Sequence, residues 1–106
     1  MRHVTFRQML SLLAIKRSGK ISQAAQELNL TGPAITLQLK QLEEQLGLPL
    51  FDRSREGMRP TVAGEVALRA ARDIELRLRD FFEEVDAIRD AGSGRLAIGA
   101  VSTAKY

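Results

Sequence analysis

Ser22-Gln23-Ala24-Ala25-Gln26-Glu27-Leu28-Asn29-Leu30-Thr31-Gly32-Pro33-Ala34-Ile35-Thr36 holds two helical patterns with three residues between them. A short helix opens at Ser22 and carries Ala24, Ala25 and Leu28 on one edge before Asn29 ends it. Thr31-Gly32-Pro33 starts the next helix. Proline suits a first turn, where its missing N–H has no intrahelical partner to lose. A separation of Asn29-Leu30-Thr31 alone is helix-turn-helix spacing. The two alanines are small enough for the next helix to come close, and Leu28 and Leu30 close the corner. Ile35, Leu39, Leu42 and Leu46 then step by four, three and four, an inward stripe that Gly47 ends. The opposite face carries Gly32, Pro33, Thr36, Leu37 and Lys40.

Upstream, Thr5-Phe6-Arg7-Gln8 has the form of a capping box, and Phe6, Met9, Leu10, Leu13 and Ala14 recur at helical spacing until Ser18-Gly19. Downstream, apolar Leu48-Pro49-Leu50-Phe51, polar Asp52-Arg53-Ser54-Arg55-Glu56-Gly57 and Met58-Arg59-Pro60 read as two short strands around a turn. Thr61 can cap a helix that runs without a breaker from Val62 to about Ala91. Gly92-Ser93-Gly94 is a hinge, and Arg95-Leu96-Ala97-Ile98-Gly99-Ala100-Val101 alternates like a buried strand. A lone strand leaves its backbone groups unpaired, so the sequence reads as stopping at the entrance to a further domain. The expected fold is mainly α: a winged helix-turn-helix with a β-hairpin wing over residues 1–60, a long coiled-coil helix over 61–91, and a hinge with a first strand over 92–106.

In the long helix Ala67, Ala71, Ile74, Leu78, Phe81, Val85 and Ile88 step alternately by four and three, the a/d seam of a two-stranded coiled coil. Phe82 lies beside the seam and widens it. These eight residues are the expected dimer interface. Glu65 with Arg69, Asp73 with Arg77 and Glu75 with Arg79 sit four apart, acid first, which supports a helix by ~0.2–0.5 kcal/mol per pair. At ~1.5 Å per residue the helix outruns a domain of this size, and an exposed apolar stripe is an aggregation hazard, so a second copy is the expected cover.

The 106 residues have a net charge of +3, unevenly spread. Residues 1–60 hold nine basic and five acidic side chains, +4, whereas residues 61–94 hold five and eight, −3. A basic front half is what a polyanion partner requires, although ordinary solvated surface produces such patterns as well. Cysteine is absent, which excludes a disulfide framework and thiolate metal sites; no metal site is expected. One histidine, His3, and one tyrosine, Tyr106, stand at the ends, and the acidic pairs Glu43-Glu44 and Glu83-Glu84 diverge on their helices. No nucleophile–base set can be assembled, so the chain is not read as an enzyme. No segment is long and apolar enough to span a membrane.

Helical periodicity fits equally a plain three-helix core with a solvated polar face. The hairpin shifts the balance, because Arg53, Arg55 and Arg59 cluster on a turn beside the third helix. That helix can lie in a major groove, with Thr36 and Lys40 as hydrogen-bond donors and Leu37 as an apolar contact for a thymine methyl. An arginine-tipped wing can follow the backbone or enter a narrow minor groove. A protein-interaction module built on the same motif is the rival reading, distinguished by its insensitivity to salt. RNA is less suited, because no aromatic-studded sheet is present for base stacking.

Ser22 to Leu28, Thr31-Gly32-Pro33-Ala34-Ile35-Thr36, Leu42-Glu43-Glu44-Gln45-Leu46-Gly47, Leu50-Phe51-Asp52-Arg53 and Thr61-Val62-Ala63-Gly64, in that order, resemble the LysR-type transcriptional regulators. Val4 to Gln8 and Ile98 to Tyr106 are most similar to the subgroup that regulates Calvin-cycle (RuBisCO) operons. The resemblance implies a cytoplasmic homodimer or dimer of dimers on promoter palindromes, with RNA polymerase as a further partner. No cofactor is expected in these residues; a small-molecule effector belongs to a C-terminal domain of periplasmic-binding-protein type, whose pocket Ser102 and Thr103 would border. The candidate DNA-contacting set is Ser22, Gln23, Thr31, Gly32, Pro33, Thr36, Leu37, Lys40, Arg53, Arg55 and Arg59. Gly32 stands where many members have glutamine and Leu37 where several have arginine, so guanine or adenine readout is not expected there. Lys20 replaces the usual small polar residue before the second helix.

Overall fold

The computed structural model describes residues 3–92 as α1 (Phe6–Ser18), α2 (Ile21–Glu27), α3 (Gly32–Leu46), β1 (Phe51–Ser54), β2 (Gly57–Pro60) and α4 (Val62–Gly92). The order is the expected one: mainly helical, with a single antiparallel hairpin among the described residues. The expected hinge beyond Gly92 and strand at 95–101, with Ser102 and Thr103, lie outside the described residues.

Each helix end follows from local chemistry. Thr5 and Gln8 form the full capping box, with Gln8 N donating to Thr5 Oγ1 at 3.2 Å and Thr5 N to Gln8 Oε1 at 3.0 Å. Gly19 and Gly47 close α1 and α3 in the left-handed region, at φ 75° and 77°. Asn29 makes the corner between α2 and α3 at φ 56°, a conformation asparagine tolerates better than most residues. Helix α2 begins at Ile21, one residue before the expected Ser22, and its N-cap Lys20 makes no side-chain capping bond.

Two packing readings need correction. On α1, Phe6 is 41% exposed and Leu10 only half-buried, whereas Leu12 and Ile15 are fully buried. Helix α1 packs against α2, α3 and β2 at once, so a single stripe at helical spacing underestimates its buried face. On α4, Ala67 and Ala71 lie in the same hydrophobic core as Leu12, Ile35 and Leu50, together with Leu68. Their own domain covers them, so they offer little surface to the expected seam. Burying side chains such as Leu12, Ile15, Ile35, Leu42, Leu50 and Leu68 contributes ~1.5–3 kcal/mol each.

The chain accordingly divides into two compact units within α4, the first ending at Arg72 and the second starting at Asp73. The first therefore runs past the 60/61 boundary expected from the sequence. Its junction is held by Thr61, whose N–H donates to Leu50 O at 3.0 Å and whose Oγ1 donates to Pro49 O at 2.7 Å. The same oxygen accepts from Gly64 N at 3.0 Å and caps α4. Gly64 is obligatory, because a Cβ there would sit 1.9 Å from Leu50 O. Glu43 accepts from Leu50 N at 2.8 Å and fixes the chain leaving α3.

In the second unit Ile74, Phe81, Phe82, Val85 and Ile88 are exposed and Leu78 is half-buried. The Phe81 and Phe82 rings touch at 5.5 Å between centroids. The ion pairs on α4 differ from the expected i,i+4 set: they join Arg77 to Glu84 at 3.4 Å and Arg89 to Asp86 at 3.0 Å, with Arg89 and Asp90 at 4.0 Å.

Candidate nucleic-acid interface

Helix α3 is oriented by three inward anchors, Ile35, Leu39 and Leu42, each 8% exposed or less. Its other side therefore faces outward as one row: Pro33, Thr36, Leu37 and Lys40 at i, i+3, i+4 and i+7. Pro33 and Lys40 are exposed, Leu37 is 55% exposed, and Thr36 and Gly32 are half-buried. Thr31 Oγ1 accepts from Ala34 N at 3.2 Å, so it caps the helix and keeps its proton available to an outside acceptor. Gly32 is not required by packing, since a Cβ would meet Ile21 Cγ2 at an ordinary 4.0 Å. Ser22 and Gln23 are exposed on α2.

The α2–α3 corner is locked to the rest of the unit in two ways. Leu30 N donates to Ala25 O at 2.8 Å across the turn. Arg17 on α1 grips Glu27 on α2, with Nε 3.1 Å from Oε2 and Nη2 bonded to the same oxygen. That donor, first of all, holds the Glu27 carboxyl below its ordinary value of 4.5; burial opposes the shift, and the Arg17 charge adds to it.

The wing is placed by backbone contact. Met58 N donates to Gly19 O at 3.0 Å, and Gly57, at φ 120°, has no room for a Cβ, which would lie 2.6 Å from the same oxygen. Arg55 and Glu56 form the two-residue turn; Ser54 Oγ steadies it, donating to Gly57 O at 2.9 Å and accepting from Glu56 N at 3.3 Å. The register pairs Phe51 with Pro60, Asp52 with Arg59, and Arg53 with Met58. Because directly opposite residues share a face and successive residues alternate, Arg53 lies on the face of buried Phe51 and Arg59 on the other. This corrects the expectation that Arg53, Arg55 and Arg59 form one cluster. Arg53 and Arg55 line a cleft of about 380 Å³ with Lys20 and Ser22, while Arg59 stands opposite Asp52 on the outer face. Composition could not reveal this; only the strand register does.

The outward residues are Pro33, Leu37 and Lys40 on α3 with hydroxyls at Thr31 and Thr36, and exposed Arg53 and Arg55 on the wing. They offer hydrogen-bond donors and charge to an anionic, grooved partner. Among the described residues no three or more of His, Cys, Asp and Glu stand together as a metal site would need, and no helix is long and apolar enough to cross a membrane.

Residues 6–65 match the family described as bacterial regulatory helix-turn-helix proteins of the lysR family. The HTH-type transcriptional regulator CbbR of Rhizobium meliloti (strain 1021) is 52% identical over the whole of this chain, which spans 34% of that protein. The RuBisCO operon transcriptional regulator of Acidithiobacillus ferrooxidans is 39% identical over 99% of the chain and 34% of its own length. Among solved structures, the CbnR DNA-binding domain in complex with DNA aligns with a TM-score of 0.66 and 35% identity, covering 86% of this chain and 99% of that one. The chain thus spans about a third of the length of its curated relatives. With the α3 ridge, the hairpin wing and the long α4 in place, this chain belongs to the LysR family of bacterial helix-turn-helix regulators.

Proposed function

We propose that the chain binds duplex DNA sequence-specifically as a homodimer, alone or paired into a tetramer, and so regulates transcription from promoters of carbon-fixation (RuBisCO-type) operons in the cytoplasm. The observation that carries the reading is the outward row Pro33, Thr36, Leu37 and Lys40 on a helix anchored by three buried residues, together with a wing carrying exposed Arg53 and Arg55. In this reading α3 enters the major groove, Thr36 hydrogen-bonds at its floor or edge, Leu37 packs on a thymine methyl, and Lys40 reaches a guanine or a phosphate. Thr31 and Gln23 fix the helix on the backbone, with Ser22 beside them, and the wing follows the neighbouring minor groove.

The exposed apolar residues Ile74, Phe81, Phe82, Val85 and Ile88, with Leu78, supply the dimer contact. Two copies bring two α3 surfaces, so the site has two-fold symmetry with half-sites separated by whole helical turns. Response to a small-molecule effector and contact with RNA polymerase are not assigned to these residues. No chemical reaction is assigned to these residues, which serve to bind.

Selection of bound duplexes from a random pool, followed by titration of the winner, tests the reading. Thr36→Trp is expected to remove the preference for the selected duplex over a mixed sequence, leaving helical circular dichroism unchanged. Unchanged affinity of this variant for the selected duplex refutes the placement of α3. Binding that does not weaken as salt rises refutes a nucleic-acid partner altogether, because phosphate contacts release counterions.

A further inference from the structure

Resting on that reading, we propose that Lys20 completes a phosphate clamp: together with Arg53 and Arg55 it grips one stretch of duplex backbone across the cleft between the start of α2 and the wing. The three cations line the same cleft of about 380 Å³, against one carboxylate, Glu56, at the hairpin turn. All three side chains are exposed, and none makes a hydrogen bond or ion pair among the described residues. Arg17 of the preceding helix, by contrast, is committed to Glu27.

Both walls of the cleft are fixed. The wing is pinned to Gly19 by the Met58 N–H at 3.0 Å and by the close approach of Gly57 to the same carbonyl. Lys20 follows Gly19 directly, and its own backbone is held by Ser18 Oγ, which lies 3.0 Å from Lys20 O and accepts from Lys20 N at 3.4 Å. Lys20 also occupies the N-cap of α2 in extended conformation and makes no capping bond. Serine, threonine, aspartate or asparagine would stabilise the helix at that position. The chain gives up the cap and gains a positive charge facing the wing. A base edge is a poor match for three mobile cations, whereas a phosphodiester run, which spaces negative charge along a line, is a good one.

Affinity for a mixed-sequence duplex and for a duplex selected from a random pool, measured against salt for the wild type, Lys20→Gln, Lys20→Arg and Lys20→Ser, tests the clamp. Loss of one phosphate contact makes the plot of log K against log salt shallower by about 0.9, which corresponds to roughly eightfold weaker binding at 0.1 M salt. Lys20→Gln is expected to show this loss equally on both duplexes and Lys20→Arg to restore it. Lys20→Ser is expected to melt higher, through its new cap, and yet bind as weakly as Lys20→Gln; a merely structural role cannot move the two readouts in opposite directions. Wild-type affinity and slope in Lys20→Gln overturn the clamp while leaving the α3 reading intact, and so does a loss confined to the selected duplex. Failure of the wild type to bind either duplex overturns both.

Discussion

The two halves of α4 carry one apolar rhythm and meet opposite fates. From Ala67 to Ile88 the alternation of four and three never breaks, yet Ala67, Leu68 and Ala71 are in the core of the first unit while Ile74, Phe81, Val85 and Ile88 are exposed in the second. Side-chain size marks the change. The buried half places Leu68 and two alanines in the core that holds Leu50 and Leu12, and Gly64 is pressed against Leu50 O. The exposed half uses isoleucine, leucine, valine and phenylalanine, large enough to knit with another helix. A heptad shows that a helix has an apolar face; what covers the face depends on which neighbours the rest of the chain brings to it.

The largest effect that separates the halves is expected from Leu78→Asp. A charge in the seam of the second unit abolishes self-association, seen by sedimentation, while the melting of the first unit is unchanged. A monomer engages one half-site, so affinity for a two-fold duplex falls by about 10²–10⁴, the usual gain from linking two binding modules. A Leu78→Asp protein that still sediments as a dimer breaks the comparison, because the exposed face would then not be the interface.

Leu68→Ala probes the other half. Leu68 is fully buried, and truncating such a residue costs ~2–5 kcal/mol. The expected outcome is a lower denaturation midpoint for the first unit, with equal loss in the wild type and in the Leu78→Asp monomer. A smaller loss in the monomer would mean that the dimer, rather than the domain, covers this part of α4.

Much of the architecture was legible because its signals are local. The capping box at Thr5 and Gln8, Thr31 with Pro33, the glycines at 19 and 47 and the Asn29 corner each act within a few residues, and each stands where the sequence places it. The α3 ridge was legible for the same reason: Ile35, Leu39 and Leu42 decide which side remains outside. Burial that depends on distant partners was not legible. Leu12, Ile15 and Leu68 sit between several elements at once, and no spacing on their own helix announces that. Nor does the sequence of a hairpin give its register: Arg59 is close to Arg53 along the chain, yet the Asp52–Arg59 pairing puts the two on opposite faces. Gly57 and Gly64 were visible as glycines, but only the carbonyls of Gly19 and Leu50 explain why nothing larger fits.

The smallest effect tests whether the units are independent. The Arg17 donor lowers the Glu27 pKa, so protonation opposes the clamp between α1 and α2 and its stabilisation is present in full above the unfolded value, near 4.5. It is lost as pH falls through the lower folded value. The side chains are 50% and 38% exposed, and pairs of that kind contribute ~0.2–1 kcal/mol, screened further by salt. The stability difference between wild type and Glu27→Gln, from denaturant melts across this range, is therefore expected to be constant above about 4.5 and to shrink below it. Because Arg17 and Glu27 belong wholly to the first unit, the same increment is expected in the Leu78→Asp background. An increment that changes with the oligomeric state would mean that the α1–α2 clamp senses the distal half of α4, and the boundary at Arg72 would then mark a change of packing within one cooperative body.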